Sequence, residues 1–169
     1  EAVFHQAFGT HADPSLGRGM PGAINDGNKG VALSDGSPAM HLVHAVGFGH
    51  AARLQGEERI ALGLFGSAAQ ANGELHAALN FAAVNRVNAV FVARGPLAGE
   101  LRLSDIAHAW GIHAVHVAGD DALAVHDAVA EGRARAVKGV GGATVVDARL
   151  EGPARPVDAQ TLQGALELS

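Results

Sequence analysis

Hydrophobic and polar positions divide the chain into two alternating kinds of segment. Apolar runs of strand length cover residues 59–65, 87–93, 112–117 and 143–149. Helical spacing of apolar positions, three and four apart, marks the segments between them, residues 38–55, 70–85, 105–110 and 121–137. Strands joined by helices pair in parallel, and helices then cover both faces of their sheet. The pattern therefore predicts an α/β fold with a parallel sheet between two helical layers.

Turn and cap signals set the predicted boundaries. Residues 9–35 are predicted to form a glycine-rich loop with turns at DPSLG and NDGNKG, after a short helix over residues 3–8. Ser37 is expected to cap the helix that begins at Pro38, and Ser104 the helix over residues 105–110, which Gly111 ends. Asp121 starts the next helix, and residues 158–168 are predicted to form a terminal helix.

Composition limits the class of protein. A chain of 169 residues that is 48% hydrophobic and 17% charged is expected to form one globular domain over residues 1–169. A net charge of −5 argues against a nucleic-acid partner, and there is no apolar run long enough for a membrane span. The absence of cysteine is typical of a cytoplasmic protein and excludes thiolate metal sites. Aromatic residues make up only 4%, so stacking platforms for bases or sugars are not expected.

Two short segments are predicted to share the ligand-binding edge of the sheet. Residues 66–68 follow the first strand and residues 94–96 follow the second. The carboxyl ends of parallel strands lie at one edge, where ligands of such sheets bind next to the amino ends of helices. Any cofactor site is therefore expected there.

The segment between these positions resembles a known family. Residues 66–96 read GSAAQANGELHAALNFAAVNRVNAVFVARGP, which is similar to GDGAxxEGxxHEAxNFAAxxxLPVIFVxxNNxYAIS. That pattern belongs to the alpha chain of the first, decarboxylating component of 2-oxo acid dehydrogenase complexes, which use thiamine diphosphate. DPSLGRGMPG upstream and residues 104–129 downstream also resemble the family, so the similarity covers residues 4–150 and leaves 151–169 as a divergent tail.

The cofactor positions of the family are changed in this chain. The resemblance implies cofactor contacts at Gly66, Ser67, Ala68, Asn72 and Pro96, where relatives carry a carboxylate and an asparagine that coordinate magnesium. A hard divalent cation prefers carboxylate and phosphate oxygens, whereas a serine hydroxyl is a weak ligand and a proline ring offers none. We expect neither a bound cofactor nor a catalytic residue, and the fold is expected to be retained for a structural or assembly role.

The resemblance also implies partners and an alternative function. Relatives pair with a beta-type chain, and the small-residue helices 38–55 and 70–85 predict a homo-oligomer or such a pairing. The alternative is a working alpha subunit that binds thiamine diphosphate and magnesium for oxidative decarboxylation of a 2-oxo acid. Relatives carry a long segment before the DPS motif, so the chain is expected to be either a fragment or a shortened version.

Other residues have simpler interpretations than a site. The ten histidines include His41 and His44, three apart on one helix, but no HExxH-type pattern supports a zinc site. His76 is expected to be structural. Asp120 and Asp121 are interpreted as helix-capping residues rather than paired catalytic carboxylates, and the glycines at 139–142 as a turn.

Overall fold

Four parallel strands form the centre of the protein. A computed structural model describes residues 2–13, 15–19, 26–32, 36–95, 103–138 and 141–150. The strands are β1 (Ala61–Phe65), β2 (Ala89–Arg94), β3 (His113–Ala118) and β4 (Thr144–Arg149). They lie side by side in the order β1-β2-β4-β3, and every pairing is parallel. The α/β fold predicted from the hydrophobic pattern is confirmed.

Five α-helices surround or precede the sheet in the described parts of the chain. They are α1 (Ala2–Ala7), α2 (Met40–Leu54), α3 (Gly73–Val84), α4 (Leu103–Ala109) and α5 (Ala122–Val137). Short 3-10 helices cover Gly27–Lys29 and Ser67–Ala71. None of the helices that the structure describes has the length and hydropathy of a membrane span.

The helices divide the core into two layers. The larger layer packs α2, α3 and α4 on one face through Leu42, Leu75, Leu79 and Leu103, which cover Phe91 and Val145. The smaller layer packs α5 on the other face, against Val90, Val92 and Val146. The helices that connect β1 to β2 and β2 to β3 lie on the first face, and the helix that connects β3 to β4 lies on the second. This arrangement follows from right-handed crossovers, in which a reversal of direction moves the helix to the other face.

One strand is only half covered. On the α5 face, Leu62 and Leu64 of β1 are 50% and 53% exposed, whereas their neighbours Val90 and Val92 on β2 are buried. Helix α5 packs against β2, β3 and β4. The prediction of helices on both faces therefore holds for three strands, and β1 has a helical layer on one side among the described residues.

Several predicted boundaries were wrong by a few residues. Helix α2 begins at Met40. The Ser37 hydroxyl accepts hydrogen bonds from the amides of Ala39 and Met40 at 3.5 and 3.4 Å, and it therefore caps the turn that precedes the helix. Helix α4 already includes Leu103, so Ser104 lies within it. Helix α3 begins at Gly73, since the 3-10 turn at Ser67–Ala71 replaces its predicted first turn.

Other local predictions are confirmed. The Asp121 carboxylate accepts the amides of Leu123 and Ala124, both at 3.0 Å, at the start of α5. Gly111 ends α4 with a φ of 72°, a left-handed conformation that glycine adopts without strain. The NDGNKG turn is closed by two backbone bonds between Asp26 and Val31. The predicted terminal helix over residues 158–168 lies outside the described residues.

Candidate functional site

The two predicted segments meet at the carboxyl edge of the sheet. Phe65 of β1 is in register with Ala93 of β2, so Gly66 and Arg94 follow on adjacent strands. Arg94 is exposed, while Gly66 and Ser67 are partly buried. Pro96, the fifth of the predicted cofactor positions, lies outside the described residues. The predicted juxtaposition of the two strand ends is thus present.

A 3-10 helix shapes the first segment. Backbone bonds run from the Ala69 amide to the Gly66 carbonyl at 3.1 Å and from the Asn72 amide to the Ala69 carbonyl at 3.0 Å. The first amides of a helix have no acceptor within it, so those of Ser67 and Ala68 are the polar groups that this turn presents at the edge. The geometry resembles an anion-binding turn, but it is shorter than a regular helix.

The side chain of Asn72 is directed toward its own turn. Its amide nitrogen donates a 3.4 Å bond to the carbonyl oxygen of Ala68. Asn72 also precedes α3, although its side chain makes no cap bond there. Asn72 therefore stabilises the 3-10 turn in a position where the resemblance implies a cofactor contact.

The glycine that opens the turn is not required by its surroundings. A Cβ added to Gly66 would meet no atom of the described residues within 4 Å, and its backbone is extended, with φ −106° and ψ −177°. Any residue adopts that conformation. Within the described part of the chain, neither steric crowding nor backbone strain explains a glycine at position 66.

The donor set at this edge does not fit a magnesium–diphosphate group. Residues 66–72 and 94–95 contain no carboxylate, and Ser67 supplies the one hydroxyl. Among the described residues there is no group of three or more His, Asp or Glu side chains that could hold a metal ion. Magnesium binds proteins through one or two carboxylates together with phosphate oxygens. The side chains of residues 66–72 would offer such an ion one hydroxyl and the neutral amide oxygens of Gln70 and Asn72.

Sequence reasoning missed a charged cluster beside this edge. Asp147 on β4 is completely buried, and its two carboxylate oxygens lie 3.4 Å from Arg149 Nε. The ring of His116 on β3 donates from Nδ1 to the main-chain oxygen of Asp147 at 3.1 Å. That bond fixes the tautomer, since a carbonyl oxygen only accepts. The signal in the sequence was an acid directly after the apolar residues Val145 and Val146 of a predicted strand.

Three histidines, among them His41 and His76 of the sequence analysis, contact neighbouring elements. His41 Nε2 lies 2.7 Å from the carbonyl oxygen of Leu64 on the edge strand β1. His76 Nε2 lies 3.2 Å from the carbonyl oxygen of Gln70, where it joins α3 to the 3-10 turn. His50 packs edge-on against Phe81, with ring centroids 5.4 Å apart. Each of these rings links neighbouring elements.

One histidine has a pKa below its usual value. Partial burial, and secondarily the nearby Arg135 guanidinium, lowers the pKa of His113 from its usual 6.5. Glu131, 3.7 Å away, opposes this effect without outweighing it. His113 lies at the start of β3, on the far side of the sheet from the edge that carries Gly66.

Fold and sequence comparisons agree on the class of protein. The fold is that of thiamine-diphosphate-binding α/β domains. A solved structure of a Mycobacterium smegmatis protein, described as a thiamin diphosphate-dependent enzyme, matches 72% of this chain and 24% of its own with a TM-score of 0.53 and 23% identity. Residues 1–95 match the model of the Dehydrogenase E1 component family.

Curated relatives narrow the family. The alpha subunit of 2-oxoisovalerate dehydrogenase from Bacillus subtilis is 32% identical over 145 residues, which cover 79% of this chain and 44% of the relative. The mitochondrial alpha subunit from Mus musculus is 31% identical over 147 residues, or 81% of this chain and 33% of the relative. The chain thus spans less than half of the length of these relatives. It belongs to the dehydrogenase E1 component family, as an alpha-chain-like domain.

Proposed function

We propose that this chain is a catalytically silent alpha-chain-like domain of the 2-oxo acid dehydrogenase family that keeps its fold for assembly. The observation that carries the proposal is the carboxyl edge of β1, where Ser67 occupies the position of the family's metal-binding carboxylate. The surrounding framework retains buried packing residues such as Leu75 and Phe91. The residues that pack the core keep the family pattern, whereas those at the cofactor positions do not.

The charge at this edge also disfavours magnesium. Arg94 is exposed at the end of β2, and no carboxylate of residues 66–72 balances it. A divalent cation bound to residues 66–72 has to give up hydration water in exchange for neutral oxygens alone, which favours weak binding. The Asn72 side chain donates from Nδ2 to the Ala68 carbonyl, and the atom it offers to a cation is a neutral amide oxygen. These contacts support loss of the magnesium-dependent mode of diphosphate binding.

Family membership favours one other function. The curated relatives are named as 2-oxoisovalerate dehydrogenase alpha subunits, and the solved neighbour is described as thiamin diphosphate-dependent. A working alpha subunit would hold thiamine diphosphate, which supplies the carbanion chemistry of decarboxylation, at the same edge. The amides of Ser67 and Ala68 would then bind its diphosphate in place of a complete metal site.

Calorimetry separates the two functions. We expect thiamine diphosphate with magnesium, titrated into the complete 169-residue chain, to bind more weakly than about 100 μM. Tighter binding would overturn the silent assignment and support the working subunit. The same titration with magnesium omitted shows whether any observed affinity depends on the metal.

Restoring the family residues tests whether the substitutions at positions 67 and 96 alone account for weak cofactor binding. We expect Ser67→Asp combined with Pro96→Asn to strengthen magnesium-dependent binding by about tenfold or more, because the pair returns a carboxylate and an amide oxygen. Ser67→Asn with Pro96→Asn is the matched control, since it adds oxygen ligands of similar size without the negative charge. Equal affinity in the two variants would contradict a role for the missing carboxylate.

We further propose that the domain assembles through α2 and α3, with a second copy or with a beta-type chain. Large apolar side chains project from these helices, including Phe48 (60% exposed), Leu54 (74%) and Val84 (75%). No atom of the described residues lies within 4 Å of a Cβ added to Gly47 on α2, which permits close approach of a neighbouring helix. Large apolar side chains exposed on neighbouring helices favour an interaction site.

A further inference from the structure

The outer edge of β1 is open among the described residues. β1 is the end strand of the order β1-β2-β4-β3, and β2 is its one described pairing partner. The Ala61 amide donates to the Asn88 carbonyl on the β2 side at 2.9 Å. Because the direction of backbone groups alternates along a strand, the amides and carbonyls of Leu62 and Leu64 point away from β2. Unpaired groups of this kind are a template for a further strand.

The sequence of β1 carries none of the usual protection of an edge strand. Natural edge strands are protected by charged side chains, proline or bulges. Ala61–Phe65 reads ALGLF, without charge or proline, and its five residues pair with β2 in unbroken register. Leu62 and Leu64 are also half exposed on the α5 face. Such a strand should attract another strand unless a different element blocks it.

The strand is complementary to a second copy of itself. Leu-Gly-Leu is symmetric about Gly63, so an antiparallel pairing centred there places Leu62 of one copy opposite Leu64 of the other. In that register the outward amides and carbonyls of the two residues bond to each other. The exposed leucines then lie side by side on one face of the extended sheet. This pairing requires the Leu64 carbonyl as an acceptor.

His41 occupies the position that a neighbouring strand would take. Its Nε2 donates to the Leu64 carbonyl oxygen at 2.7 Å. A strand amide would approach the same oxygen to about 2.9 Å, so the imidazole stands in the place of the partner's backbone nitrogen. The next residue of α2, Leu42, is completely buried, and its Cδ2 lies 2.7 Å from the place of a Cβ on Gly63. That contact holds this turn of α2, and with it the ring, beside β1.

We propose that His41 protects the edge of β1 against pairing with a second copy of the chain. The ring takes up the Leu64 carbonyl and excludes a strand from the space beside it. Self-association is then confined to side-chain surfaces such as that of α2 and α3, and the sheet does not extend from one copy to the next. This role of His41 is independent of thiamine diphosphate binding and of assembly through α2 and α3.

Hydrogen exchange at the Leu62 and Leu64 amides tests this role. In the unsubstituted chain both amides should exchange freely at every protein concentration. In His41→Ala we expect their exchange to slow about tenfold or more as the concentration rises from roughly 20 to 500 μM, because pairing is bimolecular. Alanine is a stronger helix former than histidine, so α2 should remain folded. Unchanged exchange in His41→Ala, or concentration-dependent protection in the unsubstituted chain, would overturn the proposal.

Three further variants identify the cause of any protection. His44→Ala is the matched control, since His44 is exposed one turn later on α2 and bonds to no strand among the described residues; it should leave the exchange unchanged. His41→Gln keeps an N–H donor, so protection equal to that of His41→Ala would contradict the role of the hydrogen bond. Leu62→Lys added to His41→Ala should abolish the pairing, because a charge on an edge strand disfavours it. Protection that persists in this double variant would refute pairing through β1.

The same exchange data separate this pairing from assembly through α2 and α3. Contact between helical side chains leaves the outward amides of β1 unbonded. A change in mass without protection of Leu62 and Leu64 therefore reports on the helices alone and contradicts the protective role of His41.

Discussion

A single aspartate organises the loop that carries the DPS motif. Asp13 is buried, and its carboxylate accepts the Ser15 hydroxyl and the amides of Ser15 and Gly17 at 2.7–3.0 Å. The loop backbone passes through a left-handed conformation at Leu16, with φ 54°. Non-glycine residues adopt that conformation at a cost, which the three bonds to Asp13 offset. The motif therefore stabilises the conformation of its own loop in this chain.

These bonds predict a dependence of stability on pH. The Ser15 hydroxyl, followed by the amides of Ser15 and Gly17, holds the pKa of Asp13 below its usual 3.8. A carboxyl group whose pKa is lower in the folded state stabilises that state above the unfolded pKa and loses the contribution as pH falls through the folded value. We expect the amides of Ser15 and Gly17 to lose protection from hydrogen exchange as pH falls below 3.8.

The matched variant is Asp13→Asn, which keeps one acceptor oxygen but does not ionise. We expect the Ser15 and Gly17 amides of this variant to be less protected at neutral pH, with little further loss on acidification after correction for the intrinsic exchange rate. Identical pH profiles for the variant and the unsubstituted chain would show that the carboxylate does not stabilise the loop. Carbon-13 titration of the Asp13 carboxyl gives its pKa directly.

At the scale of elements, α2 approaches the sheet through a glycine. A Cβ on Gly49 would lie 2.8 Å from Val87 Cγ1 and still closer to the main-chain oxygen of Asn88. That oxygen is already used by the Ala61 amide, so the backbone cannot retreat without loss of a strand contact. The close approach fixes the distance between α2 and the start of β2.

Gly49→Ala and Gly47→Ala form a matched pair. We expect Gly49→Ala to destabilise the fold by about 1–3 kcal/mol through overpacking. Gly47, two residues earlier, has nothing within 4 Å of an added Cβ, so Gly47→Ala should be neutral or stabilise by up to about 1 kcal/mol through helix propensity. Urea unfolding of both variants measures the difference. Equal stabilities would contradict the packing of α2 described above.

The amino end of α5 offers a second comparison. Asp121→Ala removes the acceptor of two 3.0 Å amide bonds and should cost about 1 kcal/mol of unfolding free energy. Asp120→Ala is the control, because Asp120 is also exposed and makes no cap bond among the described residues. Thermal unfolding of the two variants checks the prediction. A loss in Asp120→Ala as large as that in Asp121→Ala would refute the cap assignment.

Regular elements could be predicted from sequence because their signals are local. Apolar runs located all four described strands, and Asp121 and Gly111 fixed helix ends through their own backbone chemistry. The 3-10 turn at Ser67–Ala71 could not be foreseen, since its alanines are equally compatible with a longer helix. The ion pair of Asp147 and Arg149 was missed because it depends on burial between neighbouring strands.

On the scale of the whole molecule, one neighbouring pair of helices carries several exposed apolar side chains. Phe48 and Leu54 on α2 and Phe81 and Val84 on α3 are all more than 40% exposed, although α2 and α3 pack against each other. We expect the chain to form a homo-oligomer at micromolar concentration unless a beta-type chain is present. Size-exclusion chromatography with light scattering measures the mass, and a monomer would contradict the self-assembly.

Charge placed on the same surface tests its role. Phe48→Glu combined with Val84→Glu should dissociate the assembly, because burying two carboxylates without partners is strongly unfavourable. Leu123→Glu is the control, since Leu123 is 76% exposed on α5, a different helix. Dissociation by Leu123→Glu but not by the α2 and α3 pair would move the interface to the α5 side of the molecule.

The strand order has a consequence for synthesis of the chain. Strand β4 is the last of the described strands in sequence, yet it lies between β2 and β3 and is the one strand that joins them. Until Thr144–Arg149 have been made, β3 has no pairing partner among the described strands. A nascent chain that has left the ribosome only as far as α5 therefore contains the β1–β2 pair and a separate, unpaired β3. The four-stranded sheet can form only after β4 has been made. Any C-terminal truncation before Thr144 should therefore leave β3 unpaired and susceptible to proteolysis.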